Sequence, residues 1–523
     1  MTSTQSMPSV SQSTPSPGRL WAGRFGGPAL ALVAYFAIPD HPDLSLAGRT
    51  VAAVAVLMAV WWMTESLPLP ATALVPIVAF PLLDVRPISE ATAPYASPTI
   101  FLFMGGFMIA LAMQRWNLHK RIALHTVRIV GTRPRQIVLG MMVATAFLSM
   151  WVSNTATTLM MLPIAVSVLA LVASDDAENG PAAAMADRDT RNFAVGLMLA
   201  IAYAASVGGL ATIIGSPPNA IMVAFVEEEY GISISFADWM KMGLPLSVVF
   251  LVIVWVLLTR VIYRSDLTEI AGGRSMIRSQ LTGLGSMSRG EWNVLVVFVT
   301  AALLWVFREP LAEVDALVSV LPFLANLSDP AIAIGAALIL FLLPAEHRQP
   351  EDGDGSAEWV STLDWRTAQT GIPWGVLLLF GGGLSLAGAV SGTGLDEYIG
   401  TQVSGLGTLP IVLIVAGVCA IVLLLTELTS NTATAATFLP VLGGVALGIG
   451  LDPMLLLAPA VLAASCAFML PVATPPNAIV FGSGHVTIGQ MMRAGIWLNI
   501  IGVVLITVLV FALGGWALGI EFG

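Results

Sequence analysis

The sequence is short of charged side chains. Of its 523 residues only 10% are Asp, Glu, Lys or Arg, whereas 57% are hydrophobic and the mean hydropathy is +0.87. A soluble globule of this size needs more charged side chains to cover its surface, so the composition excludes an ordinary soluble domain. Several apolar runs approach or reach the roughly 17–25 residues that a helix needs to cross a bilayer. We therefore expect an all-α polytopic membrane protein.

Cysteine is also scarce. Cys419 and Cys466 lie in apolar segments without a Cys-x-x-Cys or Cys/His spacing, which indicates neither a disulfide framework nor a metal site. The first 18 residues carry no charge and no apolar core, so we predict a disordered cytoplasmic tail, over residues 1–23, and no signal peptide. With a net charge of -10 we expect no nucleic-acid partner.

Against this apolar background the polar triplet Ser-Asn-Thr occurs twice, although burying unpaired hydroxyl and amide groups costs roughly 2–7 kcal/mol each. Ser153 and Ser430, which begin the two triplets, are 277 positions apart, and the same offset aligns FMGGFMIALA with FGGGLSLAGA. Each triplet is followed by a Pro-Pro-Asn signature, first in GSPPNAI (215–221) and then in ATPPNAI (473–479). The order of these motifs predicts an internal repeat. The offset falls to 258 at the second signature because only the first half carries the loop 174–192.

Loop charges predict that the two halves are inverted. Residues 115–135 contain six Lys or Arg and no acid, whereas their repeat partners, residues 392–412, contain Asp396 and Glu397 and no base. By the positive-inside rule the first segment faces the cytoplasm and the second faces out. Equivalent pieces on opposite sides are typical of an inverted-topology repeat.

About eleven crossing helices fit this orientation, with the N-terminus in the cytoplasm and the C-terminus outside. With that topology 18 of the 22 Lys and Arg residues fall inside. The predicted crossings lie near 26–39, 48–64, 68–83, 97–114, 193–226, 242–260, 291–308, 329–344, 371–390, 453–483 and 494–516.

Two stretches remain, about 136–172 and 408–448, and each is predicted to be a re-entrant hairpin with its triplet at the tip. The expected organisation is N-terminal scaffold helices (24–92), a first repeat half (93–265), a cytoplasmic linker (266–290), scaffold helices with a cytoplasmic loop (291–370) and a second repeat half (371–523). The broken helices are expected at about 193–226 and 453–483.

The Pro-Pro pairs predict an interruption in each broken helix, because proline removes backbone donors. An interruption offers free carbonyls to a cation and, at the next half-helix, N–H groups and a positive dipole end to an anion. The carbonyls of Gly215 and Ala473, just before the breaks, are left accessible by their small side chains. Irregular backbone at membrane depth survives only when it is buried in protein or lines a wet cavity.

The triplets add hydroxyl and amide groups that bind either a hard cation or a carboxylate. Neither triplet nor either break contains Lys, Arg or His, so the positive charge that a dianion requires must come from elsewhere, and Na+ is the natural candidate. Interhelical hydrogen bonding is the plainer explanation for one Ser-Asn-Thr, but it accounts poorly for two in register. Glu65 and Glu427 are interpreted as helix caps or partners of backbone N–H groups rather than proton carriers. His485, Trp61 and Trp62 are interpreted as packing or interfacial residues.

The paired triplets, the paired [ST]PPN breaks and the segment LTELTSNTA (425–433) resemble the divalent anion:sodium symporters, the INDY-type di- and tricarboxylate transporters. The resemblance covers about residues 45–520. It implies a homodimer whose protomers combine a scaffold domain with a transport domain that moves by an elevator mechanism.

The same resemblance implies the site residues. By this resemblance, the first sodium site consists of Ser149, Ser153, Asn154 and the Gly215 carbonyl. The second consists of Thr426, Thr429, Asn431 and the Ala473 carbonyl. The implied substrate contacts are Asn154, Thr155, Ser216, Pro217, Ser430, Asn431, Thr432, Thr474 and Pro475. Ser216 in the first break departs from Thr474 in the second.

The leading hypothesis is Na+-coupled symport of C4-dicarboxylates such as succinate, malate or fumarate across the plasma membrane into the cell. Citrate or sulfate symport and Na+-independent dicarboxylate exchange are the alternatives within transport. An intramembrane hydrolase using Ser153 or Ser430 is disfavoured, since neither tip has His, Asp or Lys within ten positions. A passive channel would not need duplicated sites of opposite orientation.

Overall fold

A computed structural model of the chain describes residues 17–38, 44–175, 187–270, 272–348 and 358–522. This part of the chain is helical except for one antiparallel β-hairpin, β1 (Pro344–Arg348) and β2 (Glu358–Ser361). Up to the middle of the chain the helices are α1 (Pro17–Ala37), α2 (Leu46–Thr64), α3 (Leu69–Thr72), α4 (Val75–Leu82), α5 (Ile88–Thr92), α6 (Pro98–Arg115), α7 (Leu118–Val130), α8 (Pro134–Ser149), α9 (Asn154–Asp175), α10 (Arg188–Gly209), α11 (Pro217–Tyr230), α12 (Phe236–Val256) and α13 (Gly273–Gly283).

The remaining helices are α14 (Arg289–Ala312), α15 (Asp315–Val320), α16 (Asp329–Leu342), α17 (Trp365–Gly371), α18 (Trp374–Gly392), α19 (Leu395–Val403), α20 (Ile411–Thr426), α21 (Asn431–Gly448), α22 (Met454–Ala464), α23 (Pro475–Gly482) and α24 (Ile488–Leu518). A π-helical turn, Leu257–Ile262, continues α12. Within the described ranges, eight helices are long and apolar enough to cross a bilayer. The chain is therefore a polytopic helical membrane protein.

Fewer long helices are present than the eleven predicted crossings, in part because the crossings predicted at 68–83 and 453–483 are divided and the one at 329–344 is the short helix α16. Pro217 and Pro475 each occupy the first position of a new helix, where the backbone N–H that proline lacks would have no intrahelical hydrogen-bond partner. Interruptions lie within both predicted broken helices: α10 stops at Gly209 before α11, and α22 stops at Ala464 before α23. One of the long helices is α9, which the sequence placed in a hairpin rather than in a crossing.

Helix α10 lies at the centre of the fold. Nearly every residue of α10 is buried, and the helix packs against α8, α9, α12 and α23. Its N-terminus is capped by Asp187, whose carboxylate accepts a 2.9 Å hydrogen bond from the Thr190 N–H. That amide lowers the pKa of the exposed Asp187 carboxyl. Around this centre, α6 packs on α16, α7 on α8, α19 on α21, and α24 on α12 and α20.

Two helix boundaries and one β-hairpin differ from the sequence prediction. Helix α1 begins at Pro17, so residues 17–23 are helical rather than part of the tail, because a proline at the first position starts a helix well. Residues 1–16 of the predicted tail lie outside the described residues. Helix α10 begins at Arg188, inside the predicted loop 174–192, because of the Asp187 cap; residues 176–186 are not described. The β-hairpin lies in the predicted cytoplasmic loop and departs from an all-helical chain.

Candidate functional site

The two hairpin turns and the two helix breaks are each followed by a helix N-terminus. Helix α9 begins at Asn154 and α21 begins at Asn431, so each Asn of the polar triplets opens a helix. The packing crosses between the repeat halves: α9 contacts α23, and α21 contacts α11. Helix N-termini carry unpaired N–H groups and the positive end of the helix dipole. The fold therefore joins all four predicted motifs in one region suited to an anion.

A cluster of oxygen atoms lies at the first hairpin turn. The Ser149 hydroxyl donates to the Ala205 carbonyl oxygen (2.7 Å) and lies 2.6 Å from the inward-facing atom of the Asn154 side-chain amide. The same amide atom of Asn154 lies about 3.1 Å from the Ala205 oxygen and 3.2 Å from the Gly215 oxygen. With the amide NH2 turned inward, Asn154 donates to the Gly215 and Ala205 carbonyl oxygens and to the Ser149 hydroxyl; with Oδ1 turned inward instead, the same atoms form an oxygen cluster of the kind that a hard cation binds. Ser149, Asn154 and Gly215, predicted as one cation site, are thus brought together.

The second hairpin turn repeats this geometry. The Thr426 hydroxyl lies 2.7 Å from Asn431 Oδ1 and 2.8 Å from the Ala464 carbonyl oxygen. Thr426 and Ser149 are both fully buried. The Ala205 and Ala464 carbonyls were missed by the sequence analysis, since an alanine side chain carries no signal of what its backbone binds. Their spacing of 259 positions, close to the repeat offset, is the one clue that the sequence holds.

Two of the predicted cation ligands, Ser153 and Thr429, form hydrogen bonds within their own hairpin turns. The Ser153 hydroxyl accepts from the Ala156 N–H (3.3 Å) and so caps the start of α9. The Thr429 hydroxyl bonds the Leu425 carbonyl (2.9 Å) and the Thr434 hydroxyl (2.6 Å). Both hydroxyl groups are thus engaged in local structure, whereas Ala473 is buried at the end of the second break.

The predicted substrate contacts divide by exposure. Half-buried positions are Asn154, Thr155, Pro217, Ser430, Asn431 and Thr432, and Pro475 is exposed. Ser216 and Thr474 are buried, and their hydroxyl groups have different partners. Ser216 shares a 2.9 Å hydrogen bond with the hydroxyl of Ser465 in the other repeat half, whereas the Thr474 hydroxyl accepts from the Asn477 N–H at the start of α23. The first break is thereby tied to the second.

Glu427 holds the backbone of the second break. Its carboxylate, 4% exposed, accepts hydrogen bonds of 2.7–3.2 Å from the N–H groups of Phe468, Met469 and Leu470, and one of 2.8 Å from the Asn499 amide. The interpretation of Glu427 as a partner of backbone N–H groups is confirmed. Glu65 is likewise a cap residue, at the C-terminus of α2 with φ 51°.

The tryptophans and His485 fit the packing interpretation. Trp61 donates to the Gly23 carbonyl (3.2 Å) and Trp62 to the Leu69 carbonyl (3.2 Å), which ties α2 to its neighbours. His485 is half-buried just after α23.

Fixed positive charge is missing from the sequence of the site. Residues 149–158, 209–219, 426–434 and 464–477 contain no Lys, Arg or His. The region therefore offers oxygen ligands for cations and N–H and hydroxyl donors for an anion. Duplicated sites of this kind at broken helices define a membrane transporter and not an enzyme.

The chain belongs to the family described by the sodium:sulfate symporter transmembrane region, whose model matches residues 23–519. It is 41% identical over 482 residues to the sodium-dependent dicarboxylate transporter SdcS of Staphylococcus aureus (strain USA300), an alignment that covers 92% of this chain and 89% of that protein. Among solved structures, it is similar to the YdaH transporter of Alcanivorax borkumensis, with a TM-score of 0.52 and 15% identity over 88% of this chain and 98% of the other. The latter likeness concerns the fold alone.

Proposed function

We propose that this protein is a secondary active transporter that couples Na+ entry to the uptake of C4-dicarboxylates such as succinate, malate or fumarate. The observation that carries the proposal is the pair of matching oxygen clusters, Ser149 with Asn154 and Thr426 with Asn431, each beside a helix N-terminus. The relative SdcS, named as a sodium-dependent dicarboxylate transporter, supports the same ion and substrate class.

The ligand chemistry favours Na+ as the coupling ion. Hydroxyl, amide and carbonyl oxygens suit hard cations, and both clusters consist of these groups. A dianion near the bilayer centre needs compensation, and the site sequences contain no basic residue to supply it. Na+ bound at the clusters would therefore provide the positive charge that holds the substrate.

The substrate would lie between the two hairpin turns. Asn154, Thr155, Asn431 and Thr432 are half-buried, so their amide and hydroxyl donors are within reach of a small molecule. Each end of a C4-dicarboxylate needs one such set of donors, and the repeat supplies two. Ser216, Pro217, Ser430, Thr474 and Pro475 complete the proposed contact set.

Transport requires that this site be exposed alternately to the two sides. In the proposed mechanism the hairpins and broken helices form a transport domain that moves as an elevator against a scaffold of the other helices, and two protomers form a homodimer in the plasma membrane. The six basic residues of 115–135 support a cytoplasmic N-terminus and an external C-terminus.

The test is uptake of labelled succinate into proteoliposomes of the purified protein, with an inward Na+ gradient or with K+ replacing Na+. Accumulation that requires Na+ supports symport. Uptake that ignores Na+ but needs dicarboxylate preloaded inside would show an exchanger and overturn the proposal. Because the matching family model names sulfate, sulfate symport is the second candidate. Competition by malate, citrate and sulfate at equal concentration would rank the three.

A further inference from the structure

The asparagines of the two Pro-Pro-Asn signatures have matching contacts that the proposed ligand set does not use. Asn219 Nδ2 donates to the Gly209 carbonyl (3.0 Å) and to the Thr212 carbonyl (2.8 Å). Gly209 is the last residue of α10, and Thr212 lies in the segment that joins α10 to α11. Asn219 is 0% exposed, so these two bonds take both N–H groups of its amide out of water.

The second repeat half contains the same arrangement. Asn477 Nδ2 donates to the Ala467 carbonyl (3.1 Å) and to the Leu470 carbonyl (3.1 Å), and Asn477 is also 0% exposed. Each asparagine therefore bonds carbonyls ten and seven positions before it. Chance packing in each half would not give the same two hydrogen bonds at the same two sequence separations.

The segment held by Asn219 forms a wall of the first oxygen cluster. A methyl group added at Gly209 would lie 2.7 Å from Asn154 Oδ1 and 2.9 Å from the Gly215 carbonyl oxygen. One added at Gly215 would lie 2.7 Å from the Gly209 carbonyl oxygen, which Asn219 binds. No side chain therefore fits at either glycine, so the backbone at Gly209 packs directly against the Asn154 and Gly215 oxygens, and a shift of Gly209 would displace them as well.

Each segment is also held from the hairpin side. In the first half the Thr212 hydroxyl donates to the Met150 carbonyl and accepts from the Gly215 N–H (3.0 Å). In the second half the Glu427 carboxylate accepts from the N–H groups of residues 468–470. The asparagines thus form one side of a two-sided clamp on each break.

We infer that Asn219 and Asn477 are positioning residues for cation binding: each fixes the backbone of its break so that the carbonyls beside it keep the spacing that a bound cation requires. The inference rests on the proposed function, because it assigns the oxygen clusters to Na+. Partners of this kind, outside the ligands themselves, commonly change metal affinity about 10- to 100-fold when they are lost.

A single substitution can remove the two amide donors while it keeps the shape of the side chain. Within the described residues the Oδ1 atoms of Asn219 and Asn477 have no hydrogen-bond partner, so each side chain contributes through its NH2 group. Asn219→Asp keeps the shape of the side chain and removes both donors, leaving an oxygen against two carbonyl oxygens. Protonation of that Asp restores one donor, whereas Asn219→Ala restores none at any pH.

The experiment measures the Na+ concentration that gives half of the maximal thermal stabilisation of the purified protein, in the absence of substrate. For N219D and N477D we expect this concentration to rise about tenfold or more. The succinate KM at saturating Na+ should change much less. Acidification should partly restore Na+ binding in N219D, relative to wild type at each pH, but not in N219A.

Asn293 provides the matched control. Its amide also donates two hydrogen bonds, to the Pro344 carbonyl (3.1 Å) and the Thr362 hydroxyl (2.9 Å), in the region of the β-hairpin. N293D should leave the Na+ dependence at the wild-type value. If N219D does not fold, N477D carries the same test, because Glu427 still holds its segment.

The outcomes separate the two proposals. Wild-type protein that Na+ does not stabilise would overturn the proposed function. Wild-type protein that Na+ stabilises, with N219D and N477D both unchanged in Na+ dependence, would overturn the positioning role alone. A loss in N293D equal to that in N219D would also overturn it, since the effect would then be general.

Discussion

Asn154 and Asn431 each present two chemically different ends from one half-buried position. One end of each amide lies beside the hydroxyl of Ser149 or Thr426, and the proposed function assigns the other end to the substrate. One amide can therefore link cation binding to anion binding at each hairpin turn.

We expect Asn154→Ala and Asn431→Ala each to abolish Na+-driven succinate uptake while the protein still folds. Alanine removes the shared ligand but leaves the helix start, because alanine is the best helix former. Uptake into proteoliposomes and the thermal unfolding midpoint measure the two effects. Asn192→Ala, which loses only a 2.8 Å bond to the Arg264 carbonyl, is the control. Near-normal uptake in both site variants would show that these amides are not shared ligands.

Side-chain chemistry was predictable at this scale and backbone chemistry was not. The repeated triplet identified Asn154 and Asn431, and the structure brings Ser149 and Thr426 to them. The Ala205 and Ala464 carbonyls complete the clusters, but nothing in an alanine distinguishes a carbonyl that faces a ligand from one inside a helix. Their place depends on the packing of α10 and α22 against the hairpins, which only the folded chain defines.

Among the helices, α19 and α21 make the closest approach that depends on glycine. A methyl group added at Gly448 would lie 2.0 Å from the Gly400 Cα atom, and one at Gly400 would lie 2.6 Å from the Gly448 Cα atom. Small residues allow helix backbones to approach in a membrane, where packing rather than the hydrophobic effect drives association. The second arm of the second hairpin is thereby seated on a short helix of its own repeat half.

We expect Gly448→Val to separate these two helices and to lower both the thermal unfolding midpoint and succinate uptake. Gly417→Ala, in α20, is the matched control, because no atom lies within 4 Å of the methyl group that it adds. Its unfolding midpoint should match that of wild type. A Gly448→Val protein as stable as the control would contradict the role of this contact.

Helix α7 contains a buried histidine that makes stability depend on pH. His119 is 4% exposed, and its Nδ1 lies 3.1 Å from the Met113 carbonyl oxygen. Burial, aided by Lys120 and opposed by the Met113 bond, lowers the pKa of His119 to about 4. Below the usual value near 6.5 the unfolded chain binds a proton that the folded chain does not, so stability falls as the pH drops from about 6.5 toward 4.

This contribution should amount to roughly 1.4 kcal/mol per pH unit in that window. We expect the unfolding midpoint of wild-type protein to fall more between pH 7.5 and 5.5 than that of His119→Gln, which cannot be protonated. The exposed His125→Gln should behave as wild type. Equal pH sensitivity in wild type and His119→Gln would contradict the assignment.

Element positions followed from the sequence where a residue dictates the backbone. Pro217 and Pro475 located both helix breaks because proline has no N–H to continue a helix. The same rule, applied to Pro17, would have started α1 six residues before the predicted tail ends. The β-hairpin was missed because β1 and β2 are short and polar, and their pairing depends on packing against α14 and α16.

At the scale of the whole molecule the packing around the site is uneven. Helices α11 and α21 pack against α18, and α21 also packs against α19. Helices α9 and α23 pack chiefly against each other and against α10 in the part of the chain that the structure describes. The two pairs of helices at the site thus have different neighbours: α11 and α21 contact α18, whereas α9 and α23 contact α10.

The inverted orientation of the two halves can be tested at equivalent positions. His125 in α7 and Gln402 in α19 are 277 positions apart, the repeat offset, and both are exposed. We expect His125→Cys to react with a membrane-impermeant thiol reagent only from the cytoplasm and Gln402→Cys only from outside. The native Cys419 and Cys466 are fully buried and should give little background. Labelling of both variants from the same side would contradict an inverted repeat.

The paired oxygen clusters also bear on how membrane voltage acts on the protein. If each cluster carries one Na+, the two ions and a dianionic substrate sum to zero charge. The loaded and empty transport domains then carry the same charge, so a membrane potential does no net work over one complete transport cycle. A cell that depends on this carrier would draw on its Na+ concentration gradient alone, and depolarisation would leave the equilibrium accumulation of substrate unchanged.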